Sequence, residues 1–374
     1  MTDMKTRLAS RNFVLHWSQW RSGRGRIGVV NPVLLTWVAL ILVAVAGIWV
    51  FLRRSGEMGE GRSAPGPGKV LGMGLHEMAA LDAVWADRKG FLVWSSTMHG
   101  QHDLVRMDWP GGQLTRLTSS PNVDTMPKIS PNGRQVAFAR SRKEWVSAHN
   151  LEEWDIWVLN FKTGEEKRVA ERGAAPAWTA DGKALVFQRG GREIVQMDLK
   201  SGEETALLGP RPERTWTEPY PDPAGERIAA TVLGKRRHVA LFAIPNGVEQ
   251  RVAAGGQMSF LPAGAGLVLL AEEGGRMQNR ICRADGRGGN LHPWFDMPGF
   301  WSREYSPRVA NDGSLLVFSA ARDEGASDTA DFEIFLWQVG EPWERAARVS
   351  FHTGNDQWPD VWVSPPPPPK KSGK

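Results

Sequence analysis

The sequence contains a single cysteine, Cys282, and only two tyrosines, although it has 18 tryptophans. One cysteine can form neither an internal disulfide nor a cysteine-based zinc site, so a packed core must stabilise the fold. The sequence also lacks a phosphate-binding glycine loop, a Gly-x-Ser-x-Gly elbow and a His-Glu-x-x-His motif. We therefore predict a protein that is not an enzyme, with no catalytic residues and no cofactor.

A local excess of positive charge is found at the N-terminus and not in the body of the chain. The chain has 46 basic and 41 acidic side chains, and residues 1–30 alone hold six basic residues against one acidic residue. Residues 55–369 are slightly acidic, with 35 basic and 40 acidic side chains. A basic domain that binds nucleic acid is therefore excluded, because such a domain needs clustered positive charge on its folded surface.

One long apolar run, VLLTWVALILVAVAGIWVFL, occupies residues 33–52. Twenty residues of helix rise about 30 Å, the thickness of the hydrocarbon core of a bilayer. Residues typical of membrane-interface anchors stand within or just after the run: Trp37, Trp49, Arg53 and Arg54. We predict a single transmembrane helix over residues 31–54 in contact with the lipid bilayer. A cleaved signal peptide and a buried core helix are the alternatives.

The segments around this run suggest topology and tethers. The basic segment 1–30 favours a cytoplasmic N-terminus by the positive-inside rule, which places the rest of the chain on the periplasmic side of a bacterial inner membrane. The same segment could contact anionic lipid or a protein partner. Residues 55–79 are rich in Gly and Pro and predict a flexible tether. The Pro/Lys-rich residues 365–374 predict an extended tail.

A repeat organises residues 80–364. Its turn motif recurs as PKISPNG, PAWTADG, PYPDPAG and PRVANDG, with weaker copies MSFLPAG and VWADRKG. The final glycines, at positions 90, 133, 182, 225, 264 and 313, are spaced by 39 to 49 residues, as in four-stranded propeller blades. Short β-rich runs follow each copy, without helical periodicity. We predict an all-β, six-bladed β-propeller of four-stranded antiparallel blades.

The repeated elements resemble those of the TolB-like (WD40-like) β-propeller family. The elements that match are Ser130-Pro131-Asn132-Gly133, Asp155-Ile156-Trp157-Val158 and Arg116-Leu117-Thr118. This resemblance covers about residues 80–364. It implies the fold but not a specific function, because propellers serve many functions. The chain differs from TolB itself in lacking the additional N-terminal α/β domain and in keeping a predicted membrane anchor.

The end of the repeat region predicts how the ring closes. Pro359 to Val363 read like another copy of an innermost strand with no further strands behind it. We expect this segment to join the first blade, whose other strands come from residues near 91–118.

Loop lengths divide the predicted propeller into two faces. One face, which we call the short-turn face, has minimal turns such as Asn132-Gly133. The other, the long-loop face, receives the insertions at residues 141–153, 209–217, 290–305, 321–331 and 351–358. These insertions carry aromatic residues that we predict to bind protein: Trp145, Trp216, Trp294, Phe295, Phe300, Trp301, Tyr305 and Trp358. The alternative is that these aromatics cap the blades by packing between them.

Other groups of polar residues are weaker candidates. His99 and His102 could face one metal ion, but two histidines without a third ligand do not define a site, and a solvated loop is favoured. The acidic residues Asp323, Glu324, Asp328 and Asp331 fit a solvated loop better than a calcium site. Cys282 fits a buried structural thiol.

These observations favour a non-catalytic, membrane-anchored propeller that serves as a protein-interaction or accessory subunit of a membrane complex on the periplasmic side, including a respiratory or photosynthetic one. Its partners would be proteins in or at the membrane. A periplasmic sensor or carrier that binds a small molecule or glycan in the propeller channel is the alternative, as is a Tol-Pal-like envelope factor. An enzyme whose site carries none of the motifs above is a third class.

Overall fold

A computed structural model describes residues 73–366 except 274–275, 298, 300, 302, 323–329 and 353. The chain divides into two compact units, Met1–Arg62 and Ser63–Lys374, and the described residues all belong to the second. None of the helices among the described residues has the length and apolar character needed to cross a membrane. The predicted span at residues 33–52, with its anchors Trp37, Trp49, Arg53 and Arg54, lies outside the described residues.

A helix, α1, precedes the strands at Leu75–Trp85. Its sequence is rich in Leu, Met and Ala, which favour helix, and its buried residues Leu81, Val84 and Trp85 share one face. Trp85 stacks on Trp109 with ring centroids 6.1 Å apart. The expectation that no helix occurs in this region is therefore wrong, and the weak repeat copy ending at Gly90 is this helix and the turn after it.

The described strands form antiparallel sheets in four groups of four and one group of seven. The first sheet has the order β23 (Asp356–Val363), β1 (Gly90–Ser96), β2 (Asp103–Trp109), β3 (Gln113–Arg116). The second is β4 (Asp124–Ile129), β5 (Gln135–Ser141), β6 (Trp154–Asn160), β7 (Glu166–Ala170). The third runs from β8 (Gly173–Trp178) through β9 (Ala184–Arg189) and β10 (Glu193–Asp198) to β11 (Glu204–Leu208).

The remaining strands complete the fold. The seven-stranded sheet contains β12 (Thr215–Pro221), β13 (Arg227–Leu233), β14 (His238–Ala243), β15 (Glu249–Phe260), β16 (Leu267–Glu273), β17 (Arg276–Ala284) and β18 (His292–Phe295). The last sheet contains β19 (Arg303–Val309), β20 (Leu315–Ala321), β21 (Glu333–Gln338) and β22 (Ala347–Arg348). Short 3-10 helices lie at Pro262–Gly264 and Trp343–Arg345.

The seven-stranded sheet differs from the expected six separate blades. Strand β15 is continuous, pairing with β14 through residues 249–254 and with β16 through residues 255–260. Two predicted blades are thus joined in one sheet, and the junction between the two ladders lies at Gly255-Gly256, where Gly255 has a φ of 138° that glycine tolerates best. The structure therefore has four separate four-stranded sheets where the sequence predicts six.

Six of the described strands surround a central channel. The strands β23, β4, β8, β12, β15 and β19 contact one another in this cyclic order, and β19 contacts β23. Each contains a residue with φ between 51° and 58°, where the pairing with the next strand shifts register: Met126, Ala175, Glu218, Gln257, Ser306 and Trp358. All six residues line one narrow cavity of about 20 Å³. This repeated β-bulge places the residues that follow it around the channel.

The closure predicted from the C-terminal segment is confirmed. Strand β23 pairs antiparallel with β1, from Gly90 opposite Val363 to Ser96 opposite Asp356. Val363 and Asn311 of the last sheet exchange two hydrogen bonds, of 2.7 and 3.0 Å. The two ends of the described domain are therefore held in one sheet, and the cores between sheets include apolar residues from the first and last sheets together.

Candidate functional site

The candidate site lies on the long-loop face, where connections from the first, second and last sheets meet. It is a cavity of about 340 Å³ lined by the β1–β2 and β5–β6 connections and by the segment that leads into β23. Residues 330–331, just before β21, complete the wall. Two of the sequence-predicted aromatic residues, Trp145 and Trp358, line this cavity.

An apolar floor and an aromatic rim characterise the cavity. Val123, Val146 and Trp154 line the cavity and belong to one buried cluster beneath the long-loop face. Trp145 is 39% exposed. Trp358 packs against the His102 ring, with centroids 5.6 Å apart. An exposed indole above an apolar floor can receive an apolar side chain of a ligand or partner.

Polar groups form the rest of the wall. Asn355 and Thr97 are bound to each other by two hydrogen bonds, of 2.7 and 3.0 Å, which hold the connection to β23 against the β1–β2 loop. Among the described residues, Oδ1 of Asn355 is buried without a hydrogen-bond partner. Asp331 accepts a hydrogen bond from the Gly354 amide at 3.3 Å, and burial raises the pKa of Asp331. The wall of the cavity therefore offers hydrogen-bond acceptors beside the apolar floor.

A buried network anchors the start of β23 next to the cavity. Trp94 Nε1 donates to Asp356 Oδ1 at 2.9 Å, and His352 Nε2 lies 2.7 Å from Asp356 Oδ2. Burial favours the neutral form of His352, but the hydrogen bond and charge of Asp356 outweigh it and raise the pKa of the ring. All three side chains are buried. The network positions the segment that carries Trp358 and does not itself reach the surface.

Two of the predicted protein-binding aromatics are buried in the blades. Trp216 on β12 is 0% exposed and packs edge-on against Phe242 at 5.3 Å. Phe295 on β18 is also fully buried and packs against Phe318 and Trp337 of the last sheet. Their assignment to a binding face is wrong, because strands β12 and β18 point these rings into the inter-sheet cores.

The other predicted aromatics are partly buried. Trp294 packs edge-on against Trp337 at 5.8 Å, Trp301 lies against Phe335 at 5.3 Å, and Tyr305 contacts Phe332. These contacts agree with the blade-capping alternative. Phe300 lies outside the described residues.

The channel holds charged residues that sequence reasoning missed. Lys128 on β4, Arg308 on β19 and Asp360 on β23 each come two residues after the bulge. Lys128 and Arg308 line the narrow part of the channel, and Lys128 and Asp360 line a cavity of about 390 Å³ at its short-turn end. The repeat alignment contained this signal, because these residues directly follow the proline of their copies, in PKISPNG, PRVANDG and PDVWV.

Those weaker candidates that the structure describes do not form a metal centre. In the part of the chain that the structure describes, no group of His, Cys, Asp and Glu side chains could hold a metal ion. His102 Nδ1 lies 2.9 Å from Ser95 Oγ, and burial lowers the pKa of His99. Cys282 is buried on β17, as predicted. Asp323, Glu324 and Asp328 lie outside the described residues.

Comparisons with known proteins point to one kind of propeller. No protein-family model matches the chain. The Tol-Pal system protein TolB of Francisella tularensis subsp. tularensis is 25% identical over 85 residues, which are 23% of this chain and 18% of that protein. The chain thus matches less than a fifth of the length of this curated relative.

Solved structures show the same likeness over more of the chain. TolB from Acinetobacter baumannii superposes with a TM-score of 0.54 and 17% identity, covering 74% of this chain and 67% of its own. Putative TolB from Agrobacterium tumefaciens superposes with a TM-score of 0.55 and 13% identity, covering 74% and 97%. With the weak sequence similarity, these superpositions show that the described domain has a TolB-like β-propeller fold.

Proposed function

We propose that this chain is a non-catalytic, membrane-anchored propeller that acts as a protein-interaction or accessory subunit of a membrane complex on the periplasmic side. In this proposal the seven-stranded sheet counts as two blades that share β15, so that the ring has six blades. Residues 31–54 would hold the propeller at the bilayer. A role in the cell envelope like that of the Tol-Pal system is compatible with the same arrangement.

The observation that carries the proposal is the exposed Trp145 beside the long-loop cavity. Tryptophan is enriched among the residues that dominate protein interfaces, above all where it borders an apolar pocket with polar groups around it. The cavity of about 340 Å³ has room for one or two partner side chains. The buried network at the start of β23 ties this part of the pocket wall to β1, and a wall held in place before binding would lose less entropy on binding.

The test compares two tryptophans of equal exposure on opposite faces. Trp145 is 39% exposed on the long-loop face, and Trp343, 38% exposed, lies in the β21–β22 connection of the short-turn face. The full chain would be purified from its native membrane in mild detergent, and bound proteins identified by mass spectrometry. Trp145→Ala should weaken the affinity for a stoichiometric partner by about 30-fold, the loss typical of an interface hot spot. Trp343→Ala should leave that affinity unchanged.

Two outcomes would contradict the proposal. Purification of the wild-type chain without any stoichiometric protein would remove the accessory-subunit role. Equal loss of the partner in both tryptophan variants would exclude the long-loop cavity as the binding site. The anchor is tested separately by alkaline extraction of membranes, in which release of the wild-type chain would argue against a span at residues 33–52.

A further inference from the structure

Two buried cations face the central channel without a direct salt bridge to a carboxylate of the described residues. Lys128 and Arg308 are 8% and 9% exposed, and both line the narrow part of the channel. Neither forms an ion pair with any carboxylate among the described residues. Buried charges in proteins are normally paired and hydrogen-bonded, since taking an unpaired charge out of water is costly. Asp360 and Glu218 compensate Lys128 only through space, so both cations keep donors for a direct partner.

The hydrogen bonds of these side chains leave most donors unused. Lys128 Nζ donates to the Pro127 carbonyl at 2.9 Å, and Arg308 Nη1 donates to the Pro307 carbonyl at 3.2 Å. Among the described residues, the Nε of Arg308 is buried with no partner at all. An ammonium has three donors and a guanidinium has five, so donor capacity remains on both groups.

The nearby carboxylates are engaged elsewhere. Asp360 accepts hydrogen bonds from the amides of Ile129 and Val361, at 2.7 and 3.1 Å. Glu218 accepts from the Thr231 hydroxyl at 2.8 Å and from the Gln257 amide at 3.1 Å. These carboxylates balance charge in the channel, but both oxygens of Asp360 and Oε2 of Glu218 accept hydrogen bonds that hold β4, β13, β15 and β23 in place.

The channel is accessible from the short-turn face. A cavity of about 390 Å³ has Lys128, Tyr220 and Asp360 in its lining and is bordered by Trp178, Phe260 and Trp362. The guanidinium of Arg308 lies 5.4 Å from the centroid of the Tyr220 ring. A ligand entering here would meet apolar and aromatic walls first and Lys128 at the inner end, with Arg308 beyond it in the narrow part of the channel.

We propose that the short-turn cavity binds a small ligand through its oxyanion group, a carboxylate or a phosphate, at the inner end where Lys128 lies next to Arg308 of the narrow part. Guanidinium and ammonium donors form strong charge-assisted hydrogen bonds with such oxygens. The aromatic walls favour an anion that carries an apolar part. This site is separate from the long-loop cavity and does not depend on a protein partner there.

The protonation of Lys128 supports the proposal and supplies a readout. Burial and the charge of Arg308 lower the pKa of Lys128 to about 7, although Asp360 and Glu218 act in the opposite direction. Tyr220 also lines this part of the channel, and burial raises its pKa, so it stays neutral. A bound anion would raise the pKa of Lys128, and binding at about pH 8 should therefore take up a fraction of a proton.

The test uses the full chain in detergent and two probes, benzoate and inorganic phosphate, in isothermal titration calorimetry. We expect saturable binding of at least one probe with millimolar or tighter affinity at about pH 8, and a heat that varies with the ionisation enthalpy of the buffer. Preference for benzoate would indicate an organic carboxylate, and preference for phosphate would indicate a phosphorylated ligand.

Variants separate this site from general effects of charge. Lys128→Met and Arg308→Met should each weaken binding by about tenfold or more. Lys183→Met is the matched control, because Lys183 lies in a turn of the same face with a side chain that is 78% exposed, and it should leave binding unchanged. Circular dichroism checks that each variant folds, and Lys128→Arg, which keeps the charge, should bind without proton uptake.

Three results would overturn the proposal. These are no saturable binding of either probe, equal affinity in the wild type and folded Lys128→Met, or equal loss in Lys183→Met. The first result would mean that no anion occupies the channel, the second that the anion binds away from Lys128, and the third that binding reflects general charge attraction. A wild-type chain that binds an anion but no protein would support this site and contradict the protein-interaction role, so the two can fail independently.

Discussion

The two ends of the propeller are built from different kinds of sequence. The long-loop cavity is made by connections of unequal length, and it combines the rim residues Trp145 and Trp358 with an apolar floor. The short-turn cavity is made by equivalent positions of the repeated strands, and its inner end carries Lys128 and Asp360. Insertions thus create one surface, whereas point differences among copies of a repeat create the other.

Buried charge also differs between the two ends. Glu304, two residues before the bulge of β19, is buried, accepts a hydrogen bond from the Met297 amide at 2.6 Å and has one oxygen without a partner among the described residues. Arg308, after the same bulge, leaves its Nε unpaired. One strand therefore presents a carboxyl group toward one end and a cation toward the other, and the bulge separates them.

Removal of β23 should have the largest effect, since this strand supplies Trp358 to the long-loop cavity and Asp360 to the short-turn cavity. Deletion of residues 355–374 should abolish cooperative thermal unfolding, because it opens the ring and exposes the apolar strand β1. Deletion of residues 365–374 alone, which leaves β23 intact, should not change the melting temperature. An unchanged melting temperature after the longer deletion would show that closure is not needed.

Substitution of an aromatic residue in the long insertions should reduce stability more when its ring is buried than when it is exposed. Trp216→Ala should reduce the free energy of unfolding by about 3–5 kcal/mol, because it leaves a cavity beside Phe242 and breaks the 3.2 Å hydrogen bond from the indole to the Gly209 carbonyl. Urea unfolding followed by circular dichroism measures the change. A loss below about 1 kcal/mol would mean that this core relaxes around the cavity.

The buried carboxyl group at the long-loop end should make stability depend on pH. Burial raises the pKa of Glu304 to about 7, so the folded state binds its proton more tightly than the unfolded chain does. The stabilisation that comes from this tighter proton binding is fully present below about pH 4.5 and is lost as the pH rises through 7. Glu304→Gln should therefore stabilise the protein by about 1–3 kcal/mol at about pH 8 and flatten this dependence.

A control at an exposed carboxyl group sharpens that measurement. Glu344→Gln, in the short-turn connection that contains Trp343, should stay within about 0.5 kcal/mol of the wild type at every pH. If Glu304→Gln behaves in the same way, the buried carboxyl group is not the source of the pH dependence.

The smallest effect on stability is expected at the rim of the long-loop cavity. Trp145→Ala should change the free energy of unfolding by less than about 0.5 kcal/mol, since the indole is 39% exposed and borders the cavity. Thermal unfolding checks this value in the same samples used for partner binding. A large loss would assign Trp145 to the fold and would weaken its role as a contact residue.

The sequence was informative where structure is local or repeated. The turn motif at Ser130 to Gly133 recurs because Ser130 and Asn132 oxygens accept from the Arg134 amide and because Gly133 has a φ of 69°. Such rules are readable residue by residue. They predicted the all-β fold and the docking of β23, but they missed α1, whose apolar positions cover only three turns and compete with strand patterns.

By itself, then, the sequence determined the repeat, the strand-rich fold, the site of closure and the separation into two faces, because these follow from spacing and turn chemistry. Only the tertiary structure decided which aromatic rings are buried, since Trp216 and Trp145 both belong to predicted insertions but one lies on strand β12 and the other in the β5–β6 connection. It alone also brought Lys128 and Arg308 to one channel. Those residues are distant along the chain, and only the closed ring of inner strands makes them neighbours.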